Sequence, residues 1–200
     1  MYFLRCFCFF WIIVCYACAP LNQPNVTKEL KENNSEQDNI DAMFSYGQEW
    51  IQIDSSDYHA RLALGTGYLL TKQYSLALPH FDFLYQTAPD SFAVVNNYSQ
   101  CLYYSRQYKE ALNVLHLYLT RNYDDGLVLN IASIYYQEKK YDSVIFYAKQ
   151  VNVNSQNSSN INILIVQALL KLNKDKDTIC TYIKRIQKDK MPFEFKNLCD

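Results

Sequence analysis

The residues of this 200-residue chain that could do chemistry are few, and their spacing works against it. His59, His80 and His116 never stand four residues apart, so no helix turn presents a His-x-x-x-His pair to a metal, and no acidic partner recurs beside them. Gly65-Thr66-Gly67 is no phosphate loop, because no strand precedes it and no Gly-Lys-Ser follows. No Gly-x-Ser-x-Gly elbow exists, nor a cysteine with a plausible histidine partner. Of seven cysteines, Cys6, Cys8, Cys15 and Cys18 crowd the N-terminus, while Cys101, Cys180 and Cys199 lie far apart with no Cys-x-x-Cys spacing. Cys101 reads as a small core residue. Cys180 and Cys199 could pair in an oxidising compartment and tie the tail to the last helix, or stay free. The expectation is a non-enzyme with no cofactor, no metal and no catalytic residue.

What the chain has instead is a period. Tyr74-Ser-Leu-Ala77 returns as Tyr108-Lys-Glu-Ala111, 34 residues later, and as Tyr141-Asp-Ser-Val144 after another 33. A fixed period of this length means stacked helical hairpins. Leu62, Leu64, Tyr68 and Leu69, then Leu76, Ala77, Phe81 and Leu84, recur at helical steps. Gly65 is expected to face Ala77 where two helices cross closely. Pro89 ends a helix, and Asp90 and Ser91 suit the cap of the next. Strands are not expected: the chain has four glycines and little Val/Ile alternation.

Leu64, Gly65, Tyr68, Tyr74, Ala77, Phe81 and Pro89 stand at the spacings of the tetratricopeptide repeat (TPR), and residues 58 to 91 resemble that family strongly, with Arg61 where it prefers Trp. Residues 92 to 125 keep Tyr98, Leu102, Tyr108, Ala111 and Leu115, but carry Ser99 for Gly. Residues 125 to 158 keep Ile131, Ala132, Tyr135, Tyr141 and Ala148, with Val144 at a small position. Residues 159 to 190 are a decayed repeat, and residues 39 to 56 look like the second helix of a truncated one. The resemblance implies an all-α fold: a right-handed superhelical array of antiparallel helical hairpins, an α-solenoid of about three to four repeats over residues 39–190. It also implies a scaffold for protein–protein interaction. A C-terminal tail, residues 191–200, caps the last repeat or fills the groove.

In such arrays the first helices line a concave surface. The inward positions are His59, Leu62, Thr66 and Leu69 in one repeat, and Asn96, Gln100 and Tyr103 in the next. Ser133, Tyr136 and Gln167 follow. The chaperone-binding TPR subclass clamps a terminal carboxylate with Lys, Asn and Arg; here only Asn97 and Asn130 occupy comparable places, and the cations are missing. A groove of Tyr, Asn, Gln and Leu suits a neutral extended segment of a protein or peptide partner. A glycan or other small ligand is the alternative, motivated by Tyr103 and Tyr136. Net charge is −1 with scattered cations, which gives no reason to expect nucleic acid.

The N-terminus is a separate object. Phe7 to Ala17 is apolar and follows Arg5, so residues 1–17 read as a signal peptide or membrane anchor. Ala17-Cys18 resembles a bacterial lipobox, which makes Cys18 the candidate lipidation site, although Cys15 and Tyr16 depart from that motif. Two readings stay open beside it: an ordinary cleaved secretory signal, and an uncleaved anchor over the 18 residues from Tyr2 to Ala19. Residues 18–38 are rich in Asn, Gln, Glu and Lys and read as a disordered tether of about 25 Å. The expectation is a membrane-attached lipoprotein of the bacterial cell envelope, at the outer membrane.

Overall fold

The computed structural model describes residues 36–199 apart from 153 and 155. The expected signal segment, Cys18 and residues 18–35 of the expected tether lie outside the described residues. Among the described residues there are nine α-helices, two single 3-10 turns and no strand. They are α1 Glu36–Ile53, α2 Tyr58–Leu70, α3 Tyr74–Thr87, α4 Phe92–Tyr104, α5 Tyr108–Leu119, α6 Asp125–Gln137, α7 Tyr141–Ala148, α8 Ser158–Lys171 and α9 Lys176–Ile183. The chain divides into two compact units at Ala42–Met43, within α1. In the first, the opening turns of α1 are tied by Gln37 Nε2 donating to Asp41 Oδ1 at 2.9 Å. The second, residues 43–199, is the repeat array.

Each helix from α2 to α9 packs on its neighbour in sequence, and the first helices α2, α4, α6 and α8 also touch one another in turn. That pattern is an all-α solenoid of helical hairpins. Its hairpin turns are the same turn four times over. Lys72, Arg106, Lys139 and Asn173 have φ of 60°, 61°, 61° and 51°, one per first helix. In each, the next N–H reaches back five residues: Gln73 to Tyr68, Gln107 to Leu102, Lys140 to Tyr135 and Lys174 to Leu169, at 2.8 to 3.1 Å. These are Schellman C-caps, which satisfy two end carbonyls and require one left-handed residue. The fourth repeat has lost the Tyr-x-x-Ala signature yet keeps this turn.

Two apolar clusters fill the array. Phe81, Leu84, Val94, Val95, Leu102 and Leu115 anchor the first. Val144, Ile165, Val166, Ile179 and Ile183 anchor the second, together with Phe195 from the tail. The tail therefore covers the last hairpin, and a Cys180–Cys199 disulfide fastens it there. At Gly65 the atoms in closest reach belong to the Phe81 ring: an added Cβ would stand 3.1 Å from Phe81 Cζ, so the glycine makes room for that ring. Gly67 does the same for Phe44 at 3.2 Å. Gly47 allows α1 to close on Leu64, whose Cγ would lie 2.5 Å from an added Cβ.

Two departures from the repeat pattern are compensated locally, and one expected cap is diverted. Arg61 lays its guanidinium 3.9 Å over the Phe83 ring, supplying a flat surface where a Trp is preferred, and its Nε donates to the Ser55 carbonyl. Ser99 returns its hydroxyl to the Asn96 carbonyl at 2.9 Å, so no polar group is stranded at a Gly position. Ser91 holds the N-cap position of α4, but its side chain does not cap the helix. Its Oγ pairs instead with Tyr58 OH, 3.1 Å away in the preceding repeat.

Two tests follow from this packing. Gly65→Leu should destabilise by about 2 kcal/mol through overpacking on Phe81. Ala77→Arg should cost about 3–5 kcal/mol as an uncompensated buried charge. An unchanged thermal midpoint by circular dichroism in either variant would place the hairpin contact elsewhere. Glycine at the left-handed position should do the opposite. Lys72→Gly, Arg106→Gly and Lys139→Gly should each stabilise by about 1 kcal/mol. Asn173→Gly should gain clearly less, since Asn tolerates that conformation. Equal or lower midpoints for all four would show that the turns carry no strain.

Candidate functional site

The first helices α2, α4 and α6 place a row of amides and hydroxyls side by side, because residues 31 to 34 apart occupy matching turns of successive hairpins. Asn97 Nδ2 donates to Thr66 Oγ1 at 3.3 Å, linking α4 to α2. Asn130 Nδ2 donates to Asn96 Oδ1 at 3.3 Å, linking α6 to α4. Gln137 Nε2 donates to Tyr103 OH at 3.0 Å across the same pair of helices. Within α4, Asn96 Nδ2 donates to Asn97 Oδ1 and Gln100 Nε2 donates to Asn96 Oδ1. The result is a polar ladder in which Asn96 is the central member.

Between α4 and α6 lies a pocket of about 300 Å³ lined by Ser99, Gln100, Tyr103, Tyr104, Asn130, Ser133 and Ile134. Its aromatic wall is braced from behind. Tyr104 stacks on Tyr74 with ring centroids 4.9 Å apart, and Tyr103 meets Tyr104 edge-on at 5.1 Å and Tyr108 at 5.9 Å. No Lys, Arg, Asp or Glu lines it. Burial pushes the Tyr103 phenol above its ordinary pKa, partly offset by the Gln137 donor, so the ring is a neutral hydroxyl at physiological pH. The Asn96 carboxamide oxygen already accepts from two partners, whereas Gln100 and Asn130 keep their carbonyl oxygens for a ligand. Ser133 Oγ donates to the Leu129 carbonyl and presents its lone pairs outward. Such a site can hold a neutral, amide-bearing chain. Beside it the Cys101 thiol is buried, is pushed up to about 11 by that burial, and donates to the Tyr74 carbonyl.

Of the residues read from the sequence as groove-lining, Gln100, Tyr103 and Ser133 meet in the pocket, and Thr66 and Asn96 belong to the ladder. Leu69 is 9% exposed and part of the first apolar cluster, because its position in the repeat turns into the hairpin; Leu62 packs half-buried against the same cluster. His59 is exposed at the start of α2 beside the Tyr58 ring. Tyr136 is half-buried against Tyr141, and Gln167 is half-buried on α8, outside the pocket. Ser99, Asn130 and Ile134 join Gln100, Tyr103 and Ser133 in the lining, and Tyr104 and Gln137 are further additions. The last two each follow a groove residue by one position, and their contacts come from neighbouring hairpins: Tyr74 for Tyr104 and Tyr103 for Gln137. A one-repeat reading carries no sign of either.

No family model and no curated protein matches the sequence. Solved structures do. The array is similar to MamA RS-1, an ArsTM double mutant, with TM-score 0.65 at 15% identity, over 74% of this chain and 84% of that one. It is similar to TTC0263, a thermophilic TPR protein of Thermus thermophilus, with TM-score 0.59 at 17% identity, over 74% and 82%. It is similar to pilF of Pseudomonas aeruginosa, with TM-score 0.56 at 20% identity, over 73% and 74%. At these identities the likeness speaks for architecture alone, and with the helix order and turns described above it makes the fold of this chain a TPR-like α-solenoid.

Proposed function

We propose that the chain is a non-catalytic adaptor that holds a neutral, extended segment of a protein partner across α4 and α6. The observation that carries this is the uncharged pocket set into a ladder of carboxamides. A charged ligand group would lose its hydration there and find no counter-charge, whereas a peptide backbone finds amide donors, amide acceptors and two tyrosine rings. The same groups suit a glycan, the alternative ligand class, through ring stacking and hydroxyl contacts.

The adaptor is proposed to work at the bacterial cell envelope, lipidated at Cys18 and carried on residues 18–38. Two observations favour an extracytoplasmic site. The N-terminal sequence pairs an apolar stretch with Ala17-Cys18, and Cys180 and Cys199 stand within disulfide distance, a bond that persists in oxidising compartments.

Crosslinking pull-down from native membranes separates the ligand classes. With wild type beside Asn96→Ala/Tyr103→Ala, the expected result is loss of specific protein partners at unchanged helicity. Each truncation should weaken capture on the order of tenfold: Tyr103→Ala removes a ring contact, and Asn96→Ala acts indirectly, by releasing Gln100 and Asn130 from the positions it holds them in. The same partners in both would move binding away from the first helices, and no partner in either, with saccharide binding on titration, would favour the glycan. For the anchor, wild type should incorporate labelled palmitate and Cys18→Ala should not; equal labelling would remove Cys18 from the proposal.

A further inference from the structure

The array ends in two faces of opposite charge, each centred on an exposed ring. At the N-terminal end the last turns of α1 show Trp50 and Ile53, 40% and 70% exposed, with Tyr46 against Trp50 at 6.0 Å between ring centroids. Residues 46, 50 and 53 form one helical stripe. Around it stand Glu49, Asp54 and Asp57, and α1 contains neither Lys nor Arg over its whole length. The nearest cation in sequence, Arg61, is turned onto Phe83.

At the C-terminal end the tail shows Phe193, 83% exposed, with Lys196 Nζ 5.7 Å over its ring. In the sequence Lys188, Lys190 and Lys196 flank it against Asp189 and Glu194, and Arg185 lies over the Tyr182 ring just before them. This aromatic stands out because its neighbours in the tail, Met191, Phe195 and Leu198, all pack inward on the second cluster. The ion pairs Arg121–Asp90 and Lys140–Glu138 lie away from both ends. They leave the acidic excess of one face and the basic excess of the other in place.

We propose that a second copy of this chain covers each end: the acidic Trp50–Ile53 face of one copy docks on the basic Phe193 face of the next. An exposed aromatic anchor on each side with complementary charge around it is the anatomy of a docking surface. Because the two faces differ, the contact is head-to-tail and does not close on itself, so copies add in a row and extend the stack of hairpins. The two faces also continue the repeat geometry, since α1 ends one array on a second helix whose outer side no described helix covers. This assembly is independent of what the groove holds.

The test uses the full chain in detergent, followed by light scattering after size exclusion. Wild type should grow past a dimer as concentration rises towards about 100 μM, and shrink as salt is raised through a shorter screening length. Trp50→Arg should block one face, and Lys190→Glu/Phe193→Glu the other. Each variant alone should stay monomeric with unchanged helicity, and an equimolar mixture should stop at one-to-one, since only one intact contact can form. Ile53→Arg, at a site exposed to solvent, gives a second head variant free of any folding defect. A wild type monomeric throughout overturns the proposal. So does either variant assembling as wild type does, which would point to a symmetric contact, and so does a mixture that stays monomeric.

Discussion

Everything in this array hangs on one backbone constraint, the reversal of the chain after each first helix within three or four residues. The reversal needs a residue with positive φ, and the four that supply it, Lys72, Arg106, Lys139 and Asn173, are spaced by the repeat itself. Once the turn is set, the second helix must run back along the first, and the side chains that meet are fixed: the Phe81 ring against Gly65, the Tyr74 ring beside Tyr104. No glycine occupies any of these turns. Positive residues there sit beside the negative end of a helix dipole, which offsets some of the conformational cost and explains why three of the four are cations.

The groove is a by-product of the same constraint. Equivalent turns of α2, α4 and α6 lie side by side, so an amide in one repeat finds an amide 34 residues away in the next. Asn96 commits its side chain to the array, fastening α4 to α6 and orienting Gln100, while Gln100, Asn130 and Ser133 keep acceptors free. Structure and recognition are thus divided among neighbouring amides. Charged residues are absent from the pocket lining for a physical reason as well: an unpaired charge between two packed helices would cost more than the contact between them returns.

How much of this was legible beforehand depended on the range of the contact. Tyr-x-x-Ala, Leu-Gly and the 34-residue period are local or strictly periodic, and they led to an all-α hairpin array directly. Counting along one helix picks out Gln100, Tyr103 and Ser133, which share a pocket, and Thr66 and Asn96, which share the ladder. The same count also picks out Leu69, which is buried in the apolar cluster, because a fixed list of inward positions ignores how far a long side chain turns into its own hairpin. Ser91 passed as a cap by type, yet a tyrosine in the previous repeat claimed its hydroxyl. The small residues at Gly65 and Ala77 announce a close crossing, but not the Phe81 ring that lies closest to Gly65. The left-handed residues left no trace in composition, since Lys and Arg do not advertise positive φ. The Cys180–Cys199 bond is one of two outcomes the sequence leaves open, and the packing of the tail on the last hairpin brings the pair together.

That bond gives unfolding a direction. In an array stabilised by neighbour-to-neighbour contacts, melting starts by fraying at a terminus and runs inward one hairpin at a time. Closing the loop of sequence separation 19 removes about 3 kcal/mol worth of chain freedom from any frayed C-terminal state. Phe195 adds a buried ring that must leave with it. The far end has no such clasp among the described residues, so of the two ends the disulfide-closed one costs more to open.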